Sequence, residues 1–446
     1  MEIPMNRLFS YFVLSASALA SLSAPARLFP QGDPGAPIGG IWQGFATVAG
    51  SVQVPVTIRI SGAGANLKAS FLNGPAEHPD TTPASSVTFN GTHLVVSFDY
   101  FARKFEADLV GRTLTGTYGT AVASSLSKAA APIPVTLNHV DRVTDPAAAT
   151  NAPSISGSWE IATQSAKGES AWEFRVDPPL HDSPVIKTVI QRIDGDTGGL
   201  WGTWTGTSYT VGHFTAAGPA LYAVTPASDG TLAVKSLLPP VHGPAPATWI
   251  ARRPAEARKL NLLAPTDPSQ QTTVKEPNAP FTFSFPDVTG KTVSNTDPRF
   301  RGKVVIIAIG GSWCPNCHDE APFLVSLYRK FHPLGLEIVN LDFEQGDPAT
   351  DTKRLQSFIA HYGITYPVLL AGTTDQLNEK IPQGVNLNCW PTSFFIGRDG
   401  RVKRTHAGFA GPGNTAGHEA LEHDVTALVE TLLAQPAPRH TAELVR

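Results

Sequence analysis

The sequence predicts a multidomain chain in which an all-β, antiparallel and barrel-like region is followed by an α/β region. Between residues 38 and 253, short runs of alternating apolar and polar residues are separated by turn dipeptides such as Asn73-Gly74 and Asp229-Gly230. From about residue 277, single apolar strands alternate with longer helical segments, which is the pattern of α/β folding. A chain of 446 residues is long enough for two or three separate cores.

The first 26 residues are expected to be an export signal. Arg7 precedes a stretch of apolar or small residues over positions 8–22. Ala24-Pro25-Ala26 has the small residues at which signal peptides are cleaved. About fifteen apolar residues are too few to span a bilayer comfortably. We therefore expect a periplasmic or secreted protein that touches a membrane only if this signal stays uncleaved.

The composition argues against nucleic acid as a partner. Charged residues make up 16% of the chain and the formal net charge is -3. The sequence contains no dense block of Lys and Arg of the kind that neutralises a phosphate backbone.

The β-rich region, residues 38–253, contains a weak internal repeat. Gly40-Ile41-Trp42 is echoed by Gly157-Ser158-Trp159, which suggests two related units over residues 38–150 and 151–253. These units could close together as one up-and-down barrel or form two small barrels. Their tryptophans are expected in the barrel core rather than at a ligand.

Three segments are predicted to follow the β-rich region. Residues 254–276 are rich in Pro, Thr, Ser and Gln and are interpreted as a linker. Residues 277–436 form the predicted α/β domain, and residues 437–446 form a tail. Within this domain an apolar strand near residues 304–309 is followed by a helix from Pro315, and then by a second strand.

The chemistry is predicted at the motif Trp313-Cys314-Pro315-Asn316-Cys317, at the junction of that strand and helix. The chain has only three cysteines, so a disulfide-stapled scaffold is excluded, and a two-residue spacing favours a local, reducible bridge. Backbone N–H groups and the helix dipole favour a thiolate at Cys314. We predict an exposed, attacking Cys314 and a deeper, resolving Cys317, with a redox-active disulfide between them and no metal or other cofactor.

The motif belongs to a wider pattern. Glu320 lies three positions after the second cysteine, and Pro322 lies two positions after Glu320. Trp390-Pro391-Thr392 precedes a later strand. Together these features resemble the exported TlpA/ResA branch of thioredoxin-fold thiol-disulfide oxidoreductases, within the redoxin or AhpC/TSA superfamily. The resemblance covers about residues 277–435 and implies a thioredoxin-like fold there.

The resemblance also implies roles for individual residues. Pro391 would be a cis proline packed against the disulfide, with Trp390 and Thr392 flanking a groove for an extended substrate, while Trp313, Pro315 and Asn316 complete the surroundings. Glu320 would be a buried carboxylate that exchanges protons with the resolving cysteine. A solvated surface carboxylate is the alternative for Glu320.

Two nearby residues have less certain roles. Cys389, two positions before Pro391, is either a third redox thiol or an inert buried cysteine, and the inert interpretation is preferred. His318 could tune the neighbouring cysteine, but an exposed side chain is expected there.

The predicted function is reduction of disulfides in envelope proteins. The resemblance favours this direction over oxidation, and the expected compartment implies a membrane electron donor of the DsbD/CcdA type that recharges the enzyme. Three alternatives remain open. A thiol peroxidase is disfavoured because Gly311 stands where peroxiredoxins carry Thr or Ser. Copper delivery would use both cysteines with a histidine such as His406. The β-rich region could also be a binding module that selects a substrate.

Overall fold

A computed structural model of the protein describes residues 38–121, 131–180, 183–239 and 248–437. The predicted export signal lies outside these ranges. Among the helices within them, none has the length and apolarity needed to cross a bilayer.

The first part of the chain folds into an antiparallel sheet of nine described strands in the order β4-β3-β2-β1-β9-β8-β7-β6-β5. Strands β4 and β5 are consecutive, so the segment 80–89 pairs with β3 through its first half and with β6 through its second half. It therefore connects the two edges of the sheet. The strands are β1 (Gly40–Val48), β2 (Val52–Ser61), β3 (Lys68–Asn73), β4 (Asp80–Pro83), β5 (Ser86–Phe89), β6 (His93–Phe98), β7 (Arg103–Val110), β8 (Thr113–Thr120) and β9 (Ile133–Val140).

A second antiparallel sheet follows, in the order β11-β10-β18-β17-β16-β15-β14-β12-β13. Strand β11 pairs with both β10 and β12, so eight of these strands close into a barrel. The two units suggested by the sequence are thus two separate barrels. The strands are β10 (Gly157–Ala162), β11 (Ala171–Val176), β12 (Ile186–Arg192), β13 (Gly195–Asp196), β14 (Leu200–Trp204), β15 (Tyr209–Thr215), β16 (Gly218–Pro226), β17 (Leu232–Ser236) and β18 (Trp249–Arg252).

The internal repeat corresponds to a repeated structural role. The indole N–H groups of Trp42 and Trp159 donate to the carbonyls of Ile38 and Ile155, each four residues earlier, at 2.9 and 2.8 Å. Both tryptophans are buried in their barrels, as expected from the alternating pattern. The interiors are filled by apolar side chains, so each barrel is a packed core.

The barrels also pack against each other. Phe214 and Ala216, at the end of β15 and in its turn to β16, join the core of the first barrel. The Asn73 side chain donates to the Phe214 carbonyl at 3.0 Å and accepts from the Phe214 N–H at 2.8 Å. The hydroxyl of Tyr118 donates to the Ala216 carbonyl at 2.6 Å.

The C-terminal part has the predicted thioredoxin-like fold. Its central sheet has the order β24-β23-β22-β26-β27, in which β22, β23 and β24 are parallel, β26 runs antiparallel to β22, and β27 runs antiparallel to β26. The elements are α1 (Pro254–Lys259), α2 (Pro268–Gln271), β19 (Thr273–Val274), β20 (Ser284–Pro286), β21 (Thr292–Ser294), β22 (Val304–Gly310), α3 (Pro315–Phe331), β23 (Leu336–Glu344), α4 (Pro348–Tyr362), β24 (Val368–Thr373), α5 (Leu377–Lys380), β25 (Gly384–Val385), β26 (Thr392–Ile396), β27 (Val402–Ala407) and α6 (Thr415–Ala434).

The segment 254–276, interpreted as a linker, is packed rather than a free tether. It contains α1 and α2, and the Gln271 side chain is buried. The Gln271 amide donates to the carbonyl of Lys167 in the second barrel at 2.8 Å and to the Asn388 side chain at 3.0 Å. This segment therefore fixes the second barrel to the loop that precedes Pro391.

Candidate active site

The cysteine motif lies where the sequence places it, at the end of β22 and the start of α3. Cys314 is the N-cap residue and Pro315 is the first residue of the helix. The extended backbone of Cys314 turns its side chain back, so that the Cys317 N–H donates to Cys314 Sγ at 3.2 Å. The positive end of the helix dipole is directed at the same sulfur.

The expected exposure of Cys314 is wrong for this structure. Its exposed fraction is 2% and that of Cys317 is 6%, and the two thiols are not bridged. One cause is a neighbour from outside the thioredoxin-like fold: a Cβ atom on Gly195 of the second barrel would lie 2.5 Å from Asn316 Cγ. The motif is therefore covered on its Asn316 side by a strand that local sequence patterns could not place there.

Cys317 and Glu320 lie together inside helix α3. Burial, followed by the neighbouring Cys314 and the charge of Glu320, raises the pKa of the Cys317 thiol well above its ordinary value. Glu320 is buried, and the Ser393 hydroxyl donates to its Oε1 at 2.9 Å. Burial raises the pKa of Glu320 to about 7, against the opposing effect of this hydrogen bond. A carboxyl with that pKa can both accept and return a proton near neutral pH.

Two tryptophans lie side by side at the motif. The indole N–H of Trp313 donates to the Phe343 carbonyl at 2.8 Å, which fixes its ring. The ring of Trp390 meets it edge to face, with 5.5 Å between centroids. The Trp390–Pro391 peptide bond is cis, as the resemblance implies.

The residues on either side of this pair are more deeply buried than expected. The side chain of Thr392 is buried and donates to the Cys389 carbonyl at 2.8 Å, so its hydroxyl does not line a groove. Cys389 is also buried and packs with Ile193 of the second barrel and Ala407. Burial raises the pKa of the Cys389 thiol, which is consistent with the inert interpretation.

His318 is not exposed, contrary to expectation. Its Nε2 lies 2.8 Å from the Ser312 carbonyl and its Nδ1 lies 3.0 Å from the Tyr362 hydroxyl. Because a carbonyl only accepts, Nε2 carries the hydrogen and Nδ1 accepts from Tyr362. Burial lowers the pKa of His318 to about 3, so the ring is neutral at physiological pH.

The first barrel reaches this histidine with an aromatic tip between β6 and β7. The ring of Phe101 stacks on His318 with 3.9 Å between centroids, and Tyr100 stacks on His361 of helix α4 at the same distance. His318, which directly follows Cys317, is therefore covered by the first barrel.

The second barrel reaches the other side of the motif with the turn around β13. The Phe409 N–H donates to the Asp194 carbonyl at 3.0 Å, and Gly195 forms a bridge with Phe409. A cavity of about 580 Å³ lies where the two barrels and α3 meet, and Pro315 and Asn316 form part of its wall.

Sequence reasoning missed these contributions from the barrels. Tyr100, Phe101 and Gly195 are more than 100 residues from the motif along the chain, and they carry no chemical signature of their own. Asp342 was also missed, although the sequence carries a signal for it. It is a charged residue in a strand, and the residues on either side of it, Leu341 and Phe343, are apolar and buried.

The described part of the chain contains no group of three or more His, Cys, Asp or Glu side chains that could hold a metal ion. His406, considered with the two cysteines for copper, has its Nδ1 3.1 Å from the Gly408 carbonyl. The copper alternative therefore gains no support from these residues.

Comparison with known proteins finds similarity in the C-terminal region. Residues 277–405 match the model of the AhpC/TSA family. The chain is 32% identical over 120 residues to the thiol-disulfide oxidoreductase ResA of Bacillus anthracis, covering 27% of this chain and 62% of that protein. It is 29% identical over 126 residues to the ResA protein of Bacillus subtilis (strain 168), covering 28% and 64% of the two chains. This chain thus spans less than two thirds of the length of these curated relatives.

Solved structures give local matches of the same kind. A putative thiol:disulfide interchange protein DsbE from Chlorobium tepidum is 24% identical, and the match covers 35% of this chain and 99% of that one, with a TM-score of 0.28. A secreted Mycobacterium tuberculosis disulfide oxidoreductase is 20% identical, with coverages of 32% and 95% and a TM-score of 0.25. The prediction of a redoxin-type thioredoxin fold, with relatives among thiol-disulfide oxidoreductases, is confirmed for the C-terminal region.

Proposed function

We propose that this protein is an exported thiol-disulfide oxidoreductase that reduces disulfides in other proteins through Cys314 and Cys317. The observation that supports this most directly is the position of Cys314 at the N-cap of α3, where its sulfur accepts the Cys317 N–H. Such donors and the helix dipole stabilise a negatively charged sulfur, which is the attacking species in disulfide exchange.

The reaction proceeds by two exchanges. The Cys314 thiolate attacks one sulfur of the substrate disulfide, and the other substrate sulfur leaves as a thiolate and takes a proton from solvent. The Cys317 thiol then transfers its proton to the Glu320 carboxylate and attacks Cys314 Sγ. The substrate leaves with both sulfurs reduced, and the enzyme holds the Cys314–Cys317 bridge.

Substrate access requires movement. Because Cys314 is buried, a protein disulfide can reach its sulfur only when a covering element moves away. The contact of Gly195 with Asn316 makes the second barrel the covering element nearest to the motif. This arrangement favours a role for that barrel in choosing which substrates gain access.

Export and recharging are part of the same proposal. The expected signal at residues 1–26 places the protein in the periplasm or outside the cell, where the oxidised enzyme requires a reductant. A membrane electron donor of the DsbD/CcdA type would supply two electrons to the bridge. The substrates would be disulfide-containing envelope proteins.

A thiol peroxidase is the second candidate, because the AhpC/TSA family model matches this region. Reduction is favoured because Gly311, which has no hydroxyl, occupies the position of the peroxiredoxin Thr or Ser. Peroxide consumption and insulin-type disulfide reduction measured on the same sample distinguish the two activities.

Trapping of a mixed disulfide tests the proposal. The Cys317→Ser variant, mixed with a disulfide-bonded protein, should accumulate a covalent adduct through Cys314, and Cys314→Ser should form none and lose turnover by at least about a hundredfold. The adduct is read by non-reducing electrophoresis and mass spectrometry.

The matched control is Cys389→Ser, which removes the third cysteine. This variant should keep disulfide reduction within about twofold of the unmodified protein, because Cys389 is buried away from the exchange. An adduct that forms equally well without Cys314, or none with Cys317→Ser, would refute the proposed function.

A further inference from the structure

One buried carboxyl group near the cysteines has no role in the exchange described above. Asp342 lies on β23, a strand whose residues are all buried, and its exposed fraction is 0%. Its Oδ2 accepts a hydrogen bond from the Asn340 side chain at 2.8 Å. Its Oδ1 has no hydrogen-bond partner among the described residues. A buried oxygen without a partner is costly and requires an explanation.

Asp342 lines a small internal cavity together with the resolving cysteine. Cys317 and Glu320 contribute to its wall from α3, Asn340 and Asp342 from β23, and Tyr366 closes it. The cavity volume is about 10 Å³, which is roughly the space that one water molecule requires. A polar cavity of this size can therefore connect Asp342 to Cys317 through a single water.

The absence of a side chain at Gly310 keeps this connection open. A Cβ atom there would lie 3.2 Å from Cys317 Sγ and 3.9 Å from Asn340 Oδ1. The Cys317 sulfur and the Asn340 side chain, which donates to Asp342, therefore both lie next to Gly310.

The surroundings of Asp342 favour its protonated form. Burial is the main cause that raises its pKa well above the ordinary range, and the charge of Glu344 adds to the effect. Arg354 opposes it, but Arg354 is already paired with Glu344 at 2.5 Å and with Asp351 at 3.0 Å. Asp342 thus holds its proton to a higher pH than an ordinary carboxyl group does, and the pKa of Glu320 is also raised, to about 7. Two carboxyl groups of this kind on one cavity can hold and pass on a proton.

We propose that Asp342 is a positioning residue for Cys317 that donates a hydrogen bond, and then a proton, through the cavity when the Cys314–Cys317 bridge is opened. This inference rests on the proposed function. A thiolate of the reducing partner attacks Cys314 Sγ, the S–S bond breaks, and its electron pair passes to the Cys317 sulfur. That sulfur takes the Asp342 proton. When Cys317 later attacks, its proton goes to Glu320 and from there back to Asp342.

The test is the pH dependence of bridge opening in full-length protein carrying Asp342→Asn. The oxidised protein is mixed with dithiothreitol, and the appearance of free thiols is followed by stopped flow between pH 6 and 9. At pH 8 we expect opening about tenfold slower than in the unmodified protein, because the amide has no carboxyl proton to give. The resolving step should change less than twofold, whereas Glu320→Gln should slow mainly that step.

Two further variants complete the test. Gly310→Ala fills the cavity and should reproduce the slow opening of Asp342→Asn. Asp351→Asn changes a carboxylate of the same charged network that does not line the cavity, and it should open at the normal rate.

Each outcome decides one question. An unchanged pH profile in Asp342→Asn, or an equal loss in Asp351→Asn, would overturn the inference and leave Asp342 a structural residue. Because opening is measured on the enzyme's own bridge, this result is separate from the proposed function. If the unmodified protein formed no bridge that dithiothreitol reduces, the proposed function itself would fail.

Discussion

The two β-barrels contact the thioredoxin-like fold in different ways. The first barrel uses aromatic rings, since Tyr100 and Phe101 stack on two histidines of helices α3 and α4. The second barrel uses backbone and charged groups: the Asp194 carbonyl accepts the N–H of Phe409, and the Asp196 carboxylate accepts the N–H of Asn414 at 3.0 Å. The first contact buries aromatic rings, whereas the second combines these polar groups with the small apolar cluster of Ile193, Cys389 and Ala407.

This difference indicates which contact can open. Aromatic pairs add to stability beyond the area that they bury, whereas a hydrogen bond that water can replace contributes little net free energy. We therefore expect the aromatic tip of the first barrel to stay packed, and the turn around β13 to detach more easily while the second barrel stays joined to the first through Phe214 and Ala216. The second barrel is also the one whose Gly195 lies against Asn316, so its release would uncover the cysteines. The predictions below test this assignment.

The largest effect is expected from Tyr100→Ala in the first barrel. Tyr100 is buried, stacks on His361 and donates its hydroxyl to the Pro83 carbonyl at 2.5 Å. Truncation of such a ring should lower the free energy of unfolding by about 3 to 5 kcal/mol. Urea denaturation followed by tryptophan fluorescence measures the change.

The control for this variant is Phe45→Ala on the same barrel, where the ring is 47% exposed. It should change the free energy of unfolding by less than about 0.5 kcal/mol. If both variants lost the same stability, the aromatic tip would not anchor the first barrel.

A smaller and opposite effect is expected from Asp319→Asn at the contact with the second barrel. Burial, and then the charge of Asp196, raises the pKa of Asp319 well above its ordinary value of 3.8. The folded protein therefore binds the proton of the Asp319 carboxyl more tightly than the unfolded chain does. The stability gained from this proton is complete below about pH 3.8 and is lost as the pH rises through the raised pKa. The amide carries no charge at any pH, so the variant should be more stable at pH 8 by about 1 kcal/mol.

The matched control is Asp141→Asn, a carboxylate on the first barrel that is 96% exposed. Thermal denaturation at pH 5 and pH 8 should show a flatter pH dependence for Asp319→Asn and an unchanged one for Asp141→Asn. A loss of stability in Asp319→Asn at pH 8 would mean that its carboxylate supports the contact.

The smallest effect is expected from the ion pair between Lys167 and Asp194 in the second barrel. Both side chains are partly exposed, so a double-mutant cycle with Lys167→Met and Asp194→Asn should give a coupling energy below about 1 kcal/mol. Alkylation of Cys314 by iodoacetamide should become faster in Asp194→Asn if the second barrel opens more often. A coupling above about 2 kcal/mol would show that this ion pair stabilises the turn whose Asp194 carbonyl binds Phe409.

Much of the thioredoxin-like fold follows from local patterns in the sequence. The continuous apolar run from Val304 predicts the central strand, and Pro315 after Cys314 predicts the start of α3. A cap and not a hydrophobic residue sets the start of helix α6. It begins at Thr415 because the Asn414 side chain accepts the Gly417 N–H at 3.2 Å.

The surroundings of the site were less predictable. The sequence correctly identified a buried Glu320 only through a family resemblance, and it gave the wrong exposure for Cys314 and His318. Exposure depends on which distant segments cover a residue. No periodicity in the chain reports that Phe101 lies on His318 or that Gly195 lies on Asn316.

The sequence by itself determined the local geometry of the candidate site: two cysteines one helical turn apart, at the end of a buried strand, with an acidic residue one turn further on. These features depend on spacing, helix propensity and capping, which act over a few residues. Only the tertiary structure decided that two packed barrels enclose the motif and that Asp342 shares a cavity with Cys317. Burial and pKa are properties of the whole surroundings of a group, and those surroundings come from segments far apart in the chain.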